Sequence, residues 1–175
     1  VIMNFLISII LTIVIISIGR NFIKTHSKLC YILSAIISIA LIIASYSGVL
    51  SNVSPFVKAH ILPIFTKSAF ATSLFVVVMY TGALKNGSKL MKILMPIRAE
   101  LSIIASILTL AHNIIFGKYH FVTLFTDPKS MSLNMLLAAI ISVVLIAIML
   151  PLMITSFTSI RKKMKYKSWK KIQRF

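Results

Sequence analysis

The chain has 175 residues, of which 59% are hydrophobic, and a mean hydropathy of +1.02. That places it outside the soluble globular range and leaves no room for a second, water-soluble domain. Its formal charge is +17 with only two acids, Glu100 and Asp127. The cations fall between apolar runs, which points to membrane topology. No aromatic-basic platform of the kind single strands need is present, so no nucleic-acid partner is expected.

The first apolar run, residues 2–19, is too long for a signal-peptide core and lacks a basic leader and a small-residue cleavage site, so it reads as a retained transmembrane helix. A short basic loop, RNFIKTHSK, leads to a second span, 29–50. Its Ser34, Ser38 and Ser45 have the spacing to bond back to the preceding turn. Cys30 is the single cysteine, which excludes an internal disulfide and a paired-thiol redox motif, and it reads as a packing residue. The methionines are scattered, again as packing residues. The segment SNVSPFVKAHILPIFTK contains two prolines and is expected to be irregular or interfacial. A third span, 68–84, follows. The next connection has a turn signal at Asn86–Gly87 and a short amphipathic piece around Leu90–Met95.

The fourth span, 99–117, contains His112. Pro96 suits a first helical turn, and Glu100 near the start is favoured by the helix dipole. His112 follows Arg98 by fourteen residues, or about 21 Å of rise, in a hydrocarbon layer about 30 Å thick. It therefore lies past the midplane. Ser102, Ala105, Thr109 and His112 share one helix face, flanked by Ser106 and Asn113, while Ile103, Ile104, Ile107, Leu110 and Ile114 are expected to point elsewhere. Such a face lets another helix or a flat cofactor approach closely. An ionisable group at this depth is costly and marks a functional site by default. The segment FGKYHFVTLFTDPKS is expected to be a loop before the fifth span, 131–157, which Pro151 kinks near its end. Residues 158–175 form a dense basic tail that suits anionic lipid.

Taken loop by loop, the lysines and arginines number three, four and eight on one side of the membrane and two and two on the other. This asymmetry predicts the N-terminus outside, the basic tail inside, and His112 in the outer half of the bilayer. Glu100 and Asp127 fall near opposite interfaces and cannot form an acid-base pair. No nucleophile-elbow, zincin or phosphate-cradling glycine motif occurs. The expected fold is all-α: an integral membrane bundle of five transmembrane helices plus the start of a sixth.

A histidine on a small-residue face in the apolar layer suits haem iron, which takes an imidazole nitrogen within an apolar slot. No other span carries a histidine. His60 and His120 are expected in loops on the same side, as candidate second ligands, and His26 on the other. The alternative is a small membrane scaffold or transporter component, in which His112 bonds between helices or relays protons.

Arg98-x-Glu100-Leu101, the Leu110-Ala111-His112 helix, Thr155 and Ser156 at a helix end, a basic loop and Trp169-Lys170-Lys171-Ile172-Gln173 together resemble the ferric reductase-like transmembrane domain family. The nearest branch is the haem-binding membrane subunit that partners the periplasmic methionine sulfoxide reductase. The likeness covers about residues 66–175, and the first two spans carry no signature. It implies a b-type haem in a bacterial plasma-membrane bundle, with His112 as axial ligand to the iron. Electrons would pass from an inner-side flavin, quinone or reductase partner to an outer-side acceptor. Where the family often has a histidine after the tryptophan-containing turn, this chain has Gln173, a poor iron ligand. The family's next helix carries a further histidine beyond Phe175. With Val1 as first residue, the chain reads as a fragment lacking its sixth helix.

Overall fold

The structure is a computed structural model that describes residues 2–173. It is helical throughout, with no strand among the described residues. Among the described residues nine α-helices follow one another: α1 (Ile2–Thr25), α2 (Ser27–Tyr46), α3 (Leu62–Thr66), α4 (Ala69–Ala83), α5 (Lys89–Leu94), α6 (Arg98–Thr126), α7 (Leu133–Ser156), α8 (Thr158–Arg161) and α9 (Tyr166–Ile172). The chain divides into two compact units, and the boundary falls inside α6, between His112 and Asn113.

Among the described residues, four helices are long and apolar enough to cross a membrane: Met3–Thr25, Ser27–Tyr46, Lys89–Thr126 and Leu133–Ser156. Their exposed side chains include many large apolar ones, with Ile18 82% and Leu133 69% exposed, the kind of surface that acyl chains cover. The chain is a multi-pass membrane protein by this measure. The expectation of five independent spans is corrected at the third. The α4 helix has only 15 residues, about 22 Å of rise against a hydrocarbon layer of about 30 Å. A fifth crossing arises only if α4 is joined to the helical segment Val57–Thr66 before it, from which it is bent by 44°.

Three expected connections prove helical. RNFIKTHSK contains no glycine or proline, so α1 runs through Arg20 to Thr25 and breaks only at His26. The proline-containing segment expected to be irregular forms a π-helical turn, Val57–Ile61, and α3, whose first turn accommodates Pro63. Nothing between Gly117 and Thr126 stops a helix, so α6 continues to Thr126 and ends before Asp127–Pro128. In α2, Ser34 bonds back to the Cys30 carbonyl at 2.8 Å. Ser38, expected to do the same, is buried with its hydroxyl unpartnered.

In the first unit the core comprises Ile16 and Ile23 of α1, Ala71, Leu74 and Val78 of α4, Ile97, and Leu101, Ala105 and Leu108 of α6. Small polar groups bring α1 and α4 together. Thr12 and Ser73 share a 2.6 Å hydroxyl bond, and Ser73 Oγ donates to the Ser8 carbonyl at 3.2 Å, all three residues being fully buried. In lipid there is little hydrophobic drive between helices, so close approach of small residues and such bonds take over the holding role. Arg98 adds a longer reach: its Nε donates to the Val78 carbonyl at 3.1 Å. Gly82, one turn on, lies beside the guanidinium, and a Cβ there would stand 3.4 Å from it, at van der Waals contact.

In the second unit, Pro151 lies inside α7, where it cannot donate to the preceding turn. Thr155 Oγ1 donates to the Pro151 carbonyl at 2.7 Å and Ser156 Oγ to the Leu152 carbonyl at 2.7 Å. Trp169 Nε1 donates to the Thr155 carbonyl at 3.1 Å, and Gln173 Nε2 to Thr155 Oγ1 at 3.0 Å. The seven residues of α9 fold back on the end of α7. Within the basic tail, Arg174 and Phe175 lie outside the described residues.

The α3–α4 break depends on Ser68, which takes φ 60° and ψ 14°, the left-handed region. Ser68→Gly is expected to unfold at a temperature equal to or above that of the parent, because a Cβ in this region costs about 1–2 kcal/mol. Ser68→Val is expected to unfold at a lower temperature, as a β-branched side chain tolerates this backbone least. A valine variant as stable as the parent would show that the break is not built on this residue.

Candidate functional site

The site centres on His112, half-buried on α6. Its environment is decided by the break between α3 and α4. A continuous helix would use each carbonyl four residues on. Here the chain turns away at Ser68. Lys67 N bonds to the Pro63 carbonyl at 3.1 Å and Ser68 N to the Phe65 carbonyl at 3.3 Å. The Thr66 carbonyl is met instead by His112 Nδ1 at 2.7 Å, across 46 residues of sequence. Phe65 and Phe70 flank the break with ring centroids 5.8 Å apart.

This bond specifies the imidazole. A carbonyl oxygen can only accept, so Nδ1 carries the hydrogen. In the neutral ring Nε2 is then the nitrogen with the lone pair. A histidine oriented by an Nδ1–H···O=C bond has the tautomer and the ring placement that iron and zinc ligands use.

Around His112 the helix is tightly packed. Ala105 and Ser106 are 0% and 1% exposed and Ala111 is 4% exposed. The face of small residues therefore lies inward, as the spacing indicated, with Ser102 and Thr109 half-buried. Ile103 is a correction: it was expected to point away, yet it is fully buried. The buried arc of α6 is wider than one stripe.

The other histidines are placed as follows. His60 lies in the π-helical turn rather than a loop, exposed, with its ring 5.0 Å from Phe56. His120 lies on α6 rather than in a loop, half-buried, with Tyr119 edge-on at 5.6 Å and Nδ1 buried without a partner. His26 stands at the α1–α2 break, stacked on Phe22 at 4.8 Å, with Nδ1 2.8 Å from Thr25 Oγ1. Glu100 stands in the first turn of α6 and Asp127 directly follows its last residue. Gln173 spends its amide on the end of α7. Among the described residues there is no cluster of three or more His, Cys, Asp or Glu side chains that could hold a bare metal ion.

Two features escaped sequence reasoning. One is the Thr66 carbonyl, a backbone group with no sequence signature beyond the polar Lys67-Ser68 pair after Phe65. The other is the reach of Arg98 to α4, which the twenty-residue separation conceals.

No protein-family model matches the chain, and no solved structure matches it. An uncharacterized protein of Treponema pallidum (strain Nichols) is 37% identical over 172 residues, covering 98% of this chain and 47% of that protein. The chain thus spans about half the length of this relative.

Proposed function

We propose that the chain is the membrane-embedded part of a b-type haem electron-transfer protein of the ferric reductase-like kind, with His112 as an axial ligand. The observation that supports this reading is the His112 Nδ1–H bond to the Thr66 carbonyl, which turns a ring in the apolar layer into an oriented donor through Nε2. One imidazole suits haem, because the macrocycle fills the equatorial positions that a bare ion would need from the protein. A haem bound there supplies one-electron iron chemistry. His112 would hold it, with the Thr66 carbonyl fixing the orientation of the ring.

The remaining parts of the reading follow from charge and resemblance. With fifteen of nineteen cations on one side, the chain sits in a bacterial plasma membrane with its N-terminus outside and basic tail inside. Electrons would enter from an inner-side flavin, quinone or reductase partner and leave to an outer-side acceptor. Gln173 does not serve as the second ligand in this scheme, since its amide bonds to α7.

A second reading has its own support: the His112–Thr66 bond also braces a broken helix, as expected of a scaffold or transporter component. The full-length protein, purified and recorded as a reduced-minus-oxidised absorbance spectrum, separates the two. A Soret band with a sharp α-band upholds the haem reading. A protein folded and colourless after expression with haem supplied leaves the brace.

A further inference from the structure

A groove of about 320 Å³ opens on the first unit, away from His112. Its walls are Ile13 and Ile16 of α1, Val77 of α4, and Leu90, Ile93 and Leu94 of α5. Two polar residues join them, Ser17 and Arg20, each one helical turn beyond the last along α1. The helices α1 and α4 run in the same sense, because Thr12 meets Ser73 and the later Ile16–Arg20 stretch meets Val77. The groove therefore passes from hydrocarbon depth at Ile13 towards the helix end at Arg20.

Charge around the mouth has one sign. Lys24 follows Arg20 by a turn, Lys89 precedes Leu90, and Lys92 precedes Ile93; all four cations are exposed. No carboxylate lines the groove. A slot with apolar walls and an arginine at one end, in a chain with helices long enough to cross a bilayer, matches an anionic phospholipid: acyl chain along the walls, phosphate at the guanidinium. Zwitterionic lipids satisfy the walls equally but bring a compensating cation to the mouth.

We infer that the α1–α4–α5 groove is a binding site for an anionic phospholipid, with Arg20 as the headgroup ligand and the short helix α5 as the lid over the acyl chain. The fold explains why α5 exists as a separate element. Ser88 caps it by accepting from Met91 N at 3.2 Å, so KLMKIL forms a helix with Leu90, Ile93 and Leu94 on the groove and Lys89 and Lys92 exposed.

The test uses the full-length protein, delipidated in mild detergent and offered equimolar phosphatidylglycerol and phosphatidylcholine, with bound lipid counted by native mass spectrometry. Phosphatidylglycerol is expected to outnumber phosphatidylcholine by about fivefold, the ratio that one well-placed cation provides. Arg20→Gln is expected to bring the ratio to near unity, and Arg20→Lys to keep most of it. Lys162→Gln/Lys163→Gln in the basic tail should leave it unchanged, as should millimolar inorganic phosphate, which has no acyl chain to occupy the walls. An equal ratio in the parent, a ratio that survives Arg20→Gln, loss of preference in the tail variant, or displacement by phosphate would each overturn the assignment.

Discussion

His112→Ala is expected to remove the Soret band of the full-length protein entirely, and His112→Asn to remove it while leaving the fold nearly as stable as the parent. The two substitutions separate the roles of one ring. Asparagine can place an amide N–H close to where Nδ1–H stood, so the Thr66 carbonyl keeps a donor, but it offers iron no imidazole nitrogen. Alanine loses both. The stability difference between them should be about 0.6 kcal/mol, the average for hydrogen bonds between helices in lipid, and no more than about 1.7 kcal/mol. Spectra and denaturation in the same detergent decide the matter. A Soret band that persists in either variant ends the haem assignment to His112. Equal stability of the two variants would show that the Nδ1 bond is incidental to the α3–α4 break.

Arg98→Ala is expected to destabilise the first unit by about 1.5–3 kcal/mol, the range for hydrogen bonds to charged groups. Arg98 Nε serves the Val78 carbonyl in the middle of α4. The guanidinium lies beside Gly82, where an added Cβ would stand 3.4 Å from Arg98 Nη2, at van der Waals distance. Arg98→Lys should recover little, since an ammonium cannot reproduce the planar guanidinium that sets Nε against the carbonyl. Gly82→Val, whose γ-methyl groups reach beyond a Cβ that itself fits, should mimic part of the loss by crowding the guanidinium. Unfolding in mixed micelles measures all three. An alanine variant within about 0.5 kcal/mol of the parent would mean that Arg98 is an ordinary surface cation.

The two predictions bear on each other. Both residues lie on α6 and both bond to a carbonyl of the α3–α4 segment: Arg98 within α4, His112 at the end of α3. The short, bent pair is thus held at two points by side chains of the longer helix. A 15-residue helix does not cross the hydrocarbon layer by itself, so such support bears more weight here than for α1 or α2.

Much of the architecture was legible in the amino acids. Lipid-exposed helices must satisfy every backbone group internally, so long apolar runs can be little else, and α1, α2, α6 and α7 follow directly from that constraint. Ser88 before Lys89 and Ser132 before Leu133 also mark their helix starts, and each hydroxyl accepts from the N–H three residues on. The helix ends were less legible. Arg20–Thr25 and Gly117–Thr126 look like loops because they are polar, yet polarity does not break a helix when no proline or positive-φ residue intervenes. The Lys67-Ser68 break is the reverse case: ordinary residues, with a left-handed serine that local propensity disfavours.

The sequence by itself determined that this is a helical membrane protein, where its cations cluster, and that one imidazole lies deep in an apolar helix, because composition and period are local properties that lipid makes decisive. Only the tertiary structure decided what that imidazole faces, what Arg98 bonds to and that Arg20 lines a groove. A backbone carbonyl freed by a bend, or a groove left between three helices, belongs to no residue type and exists only once distant segments are packed together.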